Sequence, residues 1–439
     1  MLARVALADA AERTLDLQYY SVAQDATTEL LLERIVGAAR RGVRVRMLVD
    51  DIEVSTRAFA LRAVAAEPAI QVRLFHPFFN RRAFGIGRLL EFVVDGERLN
   101  RRMHNKLWVA DNAAAIFGSR NLGDAYFDAP GMGNFSDVDL IAVGPVVADL
   151  SRGFDAYWNS RSAVPFVPRH VESRDRIGSE DGLAAPSMST CPAAGCDESS
   201  SDNLARLTFI WGPAEVTYDK PDSPKLPTAF GIQHGMVEGN LDANTQSELL
   251  FVSPYFIPGR DGLAHLIAMR DRGVRIAVLT NSLASTDAAA AHAGYARYRV
   301  DLLEGGVELF ELRPEPGAPH PAQHLWGPAS PSSLHAKVVV IDRSRSIVGS
   351  LNQDPRSRLY NTESWVSIES AALAERLAGL FEEGTEAHHS FRLRLGEGGV
   401  EWLTEEGGRE VRYGDEPLAS SWQRFLKALT SVFVPESLL

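Results

Sequence analysis

The sequence predicts an α/β protein made of two tandem halves, packed about a pseudo-twofold axis as an α/β sandwich around one shared site. Three observations carry that reading. The stretch HNKLWVAD at 104–111 sets His104, Lys106 and Asp111 as H-x-K-x4-D, followed by Gly118, Ser119 and Asn121 as G-S-x-N. The chain repeats every offset at His335, Lys337, Asp342, Gly349, Ser350 and Asn352. The two histidines lie 231 residues apart, and so do RGVRV at 41–45 and RGVRI at 272–276, the mark of a duplicated domain. In each copy a strand, a helix and a strand follow in order, the βαβ pattern of a sheet with parallel pairs covered by helices.

The elements justify themselves in turn. TLDLQYY (14–20) reads as the first strand, TELLLERIVGAARRG (28–42) as a helix and VRVRMLVD (43–50) as a β-branched strand. The second half answers with ELLFVSPYF (248–256), DGLAHLIAMRDRG (261–273) and VRIAVLTN (274–281). Both helices space their apolar residues by three and four and stop on glycine. KLWVAD with AAIFGS, and KVVVID with SIVGS, read as hairpins that bring each histidine and its G-S-x-N to one rim of the sheet. We expect a first half at 1–167, a Ser, Asp, Gly and Pro-rich linker at 168–205, a second half at 206–395 and a tail at 396–439. The tail carries an amphipathic helix whose stripe of Trp422, Phe425, Leu426, Leu429, Val432 and Phe433 is expected to pack on the body rather than lie on a membrane.

At 439 residues the chain has material for two or three domains. A net charge of −12 argues against a general nucleic-acid binder, yet leaves room for a local basic pocket around one phosphate. No run approaches the roughly 18 apolar residues of a spanning helix. The first residues lack the marks of a secretory signal and leave open a segment upstream. The two cysteines, Cys191 and Cys196, make a poor zinc site and are compatible with a disulfide or with free thiols.

The repeated residue types suit phosphodiester chemistry. A neutral imidazole is a nucleophile towards phosphorus, and an imidazolium is an acid at neutral pH. Two histidines facing one cleft divide those jobs. Lys106 and Lys337 neutralise phosphate oxygens, and Asn121 and Asn352 add amide donors where charge develops. Asp137 after the first motif and Glu363 after the second offer carboxylates to fix the imidazole tautomers. Asp111 and Asp342 read as structural, bonded to backbone behind the sheet. The lysines supply the cations, so the chemistry calls for no metal and no cofactor. A single H-x-K-x4-D arises by chance at about 10⁻⁴ per start position, and each added G-S-x-N lowers that by roughly four decades. Weaker candidates surround the motifs. Asp50 and Asp51 read as a strand-end cap or turn ahead of a metal site. His292 reads as a substrate contact or a surface-helix histidine, and Tyr19, Tyr20, Tyr255 and Phe256 as cleft lining or core.

The paired motifs resemble the phospholipase D superfamily. RRMHNK, GSRNLGDAYF, FDAYWNS, SPYFIPG, NSLASTDAAAAHAGYARYR and GSLNQDPRSRLYNTE together resemble bacterial cardiolipin synthases of the C type. The resemblance implies a duplicated phospholipase D-like fold and transfer of a phosphatidyl group onto phosphatidylglycerol through a phosphohistidine. It implies His104 as nucleophile with Lys106 and Asn121, and His335 as acid/base with Lys337 and Asn352. It further implies headgroup contacts from Arg356 and Ser357 and a peripheral enzyme at the bacterial inner membrane, on either face. The donor is phosphatidylglycerol or phosphatidylethanolamine, and an accessory protein stays open. The rivals are a phospholipase D-type hydrolase that releases phosphatidic acid, a lipid-binding scaffold and a nuclease.

Overall fold

Nineteen strands and the helices between them form the two halves in the computed structural model, which describes residues 1–54, 58–78, 91, 95–127, 134–167, 207–222, 245–314 and 332–435. The first half holds β1 (Thr14–Tyr19), β2 (Arg44–Asp50), β3 (Ile70–Phe75), β4 (Leu107–Ala110), β5 (Ala114–Gly118), β6 (Asn134–Ser136), β7 (Asp139–Val143) and β8 (Ala163–Pro165). The second holds β9 (Ala214–Tyr218), β10 (Glu248–Val252), β11 (Arg275–Asn281), β12 (Glu308–Leu312), β13 (Ser332–Leu334), β14 (Val338–Ile341), β15 (Arg345–Gly349), β16 (Ser364–Glu369), β17 (Ser390–Gly396), β18 (Gly399–Glu406) and β19 (Arg409–Tyr413).

The first sheet runs β7-β5-β4-β1-β2-β3-β8 and the second β19-β18-β17-β12-β11-β10-β14-β15-β16-β9. The inner order is the same in both. Three parallel strands, β1-β2-β3 or β10-β11-β12, adjoin an antiparallel hairpin, β4-β5 or β14-β15. That is the duplicated α/β architecture expected from the repeat.

The first parallel crossover of each half is made by a helix, Ala26–Arg40 in the first half and Gly259–Asp271 in the second. Asp25 caps the first, its side chain accepting from Thr28 N at 3.0 Å. These helices cover the outer faces of the two sheets, while one continuous core joins the inner faces. That core holds Leu48, Val109 and Phe117 of the first half with Leu250, Val338 and Val366 of the second. Helices Pro145–Trp158 and Ala371–Gly384 contribute Phe154, Tyr157, Leu377 and Phe381 to it. A parallel two-stranded ribbon, β6 with β13, crosses between the halves.

The tip of each hairpin turns on two residues with positive φ, Asp111 and Asn112 at 53° each, and Asp342 and Arg343 at 49° each. Two consecutive positive φ values are the sign of a type I′ turn, whose twist matches that of the strands. Asp111 accepts backbone bonds from Glu12, Arg13 and Thr14 at 2.9, 2.7 and 2.8 Å, which ties the turn to the start of β1. Asp342 does the same for Gln246, Ser247 and Glu248 at 2.8, 2.7 and 2.8 Å.

Two readings of the C-terminal region need correction. The boundary at 395/396 falls inside the β17–β18 hairpin, so residues 399–413 extend the second sheet instead of beginning a tail. The helix forms at Ser421–Phe433, but three residues of its apolar stripe do not pack on the body. Trp422, Phe425 and Leu429 are exposed, because the helix is held by Gln423, bonded to Leu283 O at 3.1 Å, and by Lys427, paired with Glu416 at 2.5 Å. The linker at 168–205, with Cys191 and Cys196, lies outside the described residues.

Replacing Asp111 with alanine leaves three backbone donors without this acceptor and should lower stability by about 1–3 kcal/mol. Urea unfolding measures the loss, and activity per folded molecule should stay within twofold of the parent.

Candidate active site

The segment before each motif histidine is pinned by the end of a parallel strand. Asp50, last residue of β2, accepts Met103 N at 2.8 Å through Oδ2, while its Oδ1 takes Ile52 N at 2.9 Å and the Arg102 guanidinium at 3.2 Å. Asn281, last residue of β11, accepts Leu334 N at 2.8 Å and donates to Leu334 O at 2.9 Å. Asp50 and Asn281 lie 231 residues apart, as do Met103 and Leu334. The repeat offset could have identified this pair as positioning residues. Asp51 instead accepts Phe78 N at 2.8 Å.

The backbones of the two motifs then bond to the opposite half. His104 N donates to Thr362 O at 2.9 Å, and Thr362 N returns to Arg102 O at 2.7 Å. His335 N donates to Ser136 O at 2.8 Å. The carboxylates cross with them. His104 Nδ1 lies 3.0 Å from Glu363 Oε2, and His335 Nδ1 lies 2.8 Å from Asp137 Oδ2. Sequence proximity had assigned each acid to the histidine before it; the fold gives it to the other one.

The G-S-x-N glycines permit this crossing. A Cβ on Gly118 would stand 2.3 Å from Asp139 Oδ1 and 2.4 Å from Val138 O, and one on Gly349 would stand 2.3 Å from Ser364 O. Only glycine lets the strand beside each carboxylate approach so closely. The next residue holds the acid. Ser119 Oγ donates to Asp137, and Ser350 Oγ donates to Glu363 at 2.5 Å.

Aromatic rings flank each imidazole. Tyr20 meets His104 edge-on at 5.1 Å, and Tyr126 meets His335 edge-on at 5.3 Å, with Phe135 at 5.2 Å. Tyr126 also accepts Asn121 Nδ2 at 2.9 Å, a contact foreshadowed only by its place in GSRNLGDAYF. Asn352 is buried, and its Oδ1 has no partner among the described residues. Tyr255 donates to Asp287 at 2.7 Å. Ser357 is fully buried and donates to Glu363 at 2.9 Å, so it supports the carboxylate rather than a headgroup. Arg356 is half-buried beside it. Tyr19 and Phe256 belong to the core, and His292 is a buried residue 2.8 Å from the Arg299 guanidinium, not a surface one.

Lys106 and Lys337 are buried, each with Nζ 2.5 Å from its own histidine's carbonyl oxygen. The electrostatics bring the four basic groups to one place. Burial pushes His104 well below its usual 6.5, and Lys106, Lys337 and His335 push it the same way. Burial and Lys337 lower His335, against the pull of Asp137. Lys106 is lowered well below its usual value by burial and by Lys337; burial brings Lys337 down to about 8, opposed by Asp137 and Glu363. Burial works against the Asp137 carboxylate, yet His335, Lys337 and Ser119 bring it to about 2. Crowded, buried basic groups of this kind form a receptor for an anion that can spread charge over several oxygens. Among the described residues two carboxylate–histidine groups have metal-binding spacing, Glu386/His388/His389 and His292/Glu311/Glu416, and Arg299 already pairs with both acids of the second.

Comparison with known proteins gives the family of the chain. A family described as cardiolipin synthase, phospholipase D-like domain, matches residues 5–158 and 242–384. Cardiolipin synthase C of Escherichia coli is 38% identical over 100% of this chain and 93% of its own length. The chain belongs to the phospholipase D-like cardiolipin synthase family. Cardiolipin synthase A of Proteus mirabilis is 26% identical over 84% of this chain and 63% of its own. The crystal structure of phosphatidylserine synthase from Haemophilus influenzae covers 99% of this chain, and 92% of that chain is matched, with a TM-score of 0.62 at 11% identity; it shows the fold alone.

Because Asp137 orients His335 across the interface, Asp137→Asn should reduce turnover by about 10²–10⁴-fold while leaving the circular dichroism spectrum unchanged. A steady-state assay on the purified variant measures it, and turnover within threefold of the parent would remove the crossed pair from the mechanism.

Proposed function

We propose that the protein is a phosphatidyltransferase that forms cardiolipin by moving a phosphatidyl group onto phosphatidylglycerol through a phosphohistidine. The observation that carries this is that two carboxylate-backed imidazoles and two buried lysines lie close enough to lower one another's basicity. Family membership supports the same reading.

With Nδ1–H committed to Glu363, His104 keeps the Nε2 lone pair for phosphorus. Its strongly lowered basicity keeps it neutral, as a nucleophile must be. His335 is lowered less severely and has the ionised Asp137 behind it, so it is the better holder of a proton. In the first step Nε2 of His104 forms a bond to phosphorus, the bond to the departing alcohol oxygen breaks, and His335 gives that oxygen its proton. In the second, His335 takes the proton of a phosphatidylglycerol hydroxyl, whose oxygen attacks phosphorus while the P–N bond breaks. Lys106 and Lys337 neutralise the non-bridging oxygens throughout, with Asn121 and Asn352 as amide donors. Phosphatidylglycerol or phosphatidylethanolamine serves as donor, at the surface of the bacterial inner membrane. Among the described residues no helix is long and apolar enough to cross a membrane. Water in place of the second alcohol would make the same site a hydrolase, so the acceptor decides the activity.

Incubation with each radiolabelled donor, with products resolved by mass, tests this. Cardiolipin is expected as the main product, with label trapped on the parent protein after acid-free quenching and none on His104→Ala. Phosphatidic acid without cardiolipin would replace the transferase reading with the hydrolase one.

A second expectation concerns pH. Lys337 is cationic below about 8 and neutral above it, so its share of anion binding is present on the acid side and lost as pH rises through that value. The kcat/KM profile should therefore fall above about pH 8, and Lys337→Arg should weaken that limb, leaving the part that Lys106 contributes.

A further inference from the structure

The C-terminal helix Ser421–Phe433 sits on the protein with its polar side inward. Its inward contacts are Gln423 to Leu283 O and Lys427 to Glu416, and Arg297 reaches Ser431 O at 2.7 Å. A capping box on Ser420 and Gln423 fixes where the helix starts. The outward side carries Trp422, Phe425 and Leu429, with Leu418 just ahead of the helix, at 50, 53, 42 and 51% exposure. Trp422 and Phe425 stack on each other at 5.5 Å. An ordinary surface helix buries such a stripe and turns its charges to water; here the arrangement is reversed.

We infer that the face formed by Leu418, Trp422, Phe425 and Leu429 docks on a phospholipid bilayer surface and holds the active-site cleft against it. The inference rests on the phosphatidyltransferase reading for its choice of occupant. Two features point to lipid rather than to a second copy of the chain. Half-exposed side chains of this size offer on the order of 400 Å² of apolar surface. That is about half of what each partner buries in a standard protein–protein interface, but it suits shallow insertion of an in-plane helix with a Trp at the headgroup level. The second feature is position. The helix packs on Ala289–Ala296, and two residues before that helix Asp287 accepts Tyr255 and acts on Lys337. A bilayer seated on the apolar face therefore lies one helix away from a residue that acts on Lys337. The basic residues at this helix are paired with acids, Arg424 with Asp415 and Lys427 with Glu416, so attachment is apolar and depends little on lipid charge.

Flotation of the full-length protein with vesicles of phosphatidylcholine alone, and of phosphatidylethanolamine with phosphatidylglycerol, tests this. The parent should float with both, and Trp422→Glu/Phe425→Glu should lose at least tenfold of its vesicle partition. That variant should keep its melting temperature and its rate on a water-soluble, short-chain phosphodiester. Equal partition of variant and parent overturns the inference. So does a parent that stays off both vesicles, or one that forms a dimer in sedimentation which the double variant dissolves. Flotation reads adsorption without turnover, so a parent that floats but makes no cardiolipin counts against the transferase reading alone.

Discussion

The pairs His104–Glu363 and His335–Asp137 run in opposite directions between the two halves, at 3.0 and 2.8 Å. Neither half contains a complete histidine–carboxylate pair, so each half needs the other before its own imidazole is oriented. Burying both pairs is expensive in desolvation, and such pairs are weak sources of net stability. Their effect is to specify one arrangement. An isolated half would leave its acid with serine donors but no imidazole, and only the docked pair satisfies all four groups. The continuous core between the sheets supplies the energy for that docking, through Val109, Phe117, Val338 and Val366 among others.

The two half-sites share a backbone plan but differ in charge. Asp50 and Asn281 occupy the same place at the ends of β2 and β11, and both hold the residue before a histidine. Asp50 is buried, which raises its carboxyl to about 6, and it needs Arg102 beside it; Asn281 does the same work as a neutral amide. Similarly, Asp137 is held by one serine, whereas Glu363 is held by Ser350 and Ser357 together. Duplication followed by such local divergence is a physical route from two equal histidines to two different jobs, because the proton affinity of each imidazole follows its surroundings.

Periodicity alone made the strands, the crossover helices and the hairpins legible, since alternation and three–four spacing are local properties of the chain. The 231-residue offset made the two-half architecture legible as well. Other features were hidden for identifiable reasons. A hydrophobic stripe such as Trp422, Phe425 and Leu429 records amphipathicity but not which side meets the protein, and here buried Glu416 draws the charged side inward. Ser357 looked like a headgroup contact because of its motif, and Asp354 and Glu363 turn it to the interior instead. His292 looked exposed on a helix rich in alanine, yet Arg299 and Glu416 enclose it.

By itself the sequence determined which residue types would act and that they would act as two equivalent sets, because motif and spacing are written along the chain. It also determined the hairpins on which those sets ride. Only the tertiary structure decided which carboxylate serves which histidine. Asp137 and Glu363 follow the motifs of their own halves in sequence, but the β6–β13 ribbon and the His104–Thr362 bond carry each to the opposite one. The exchange is a property of how two sheets dock, and docking depends on shape and burial across the whole interface rather than on the spacing of any one segment.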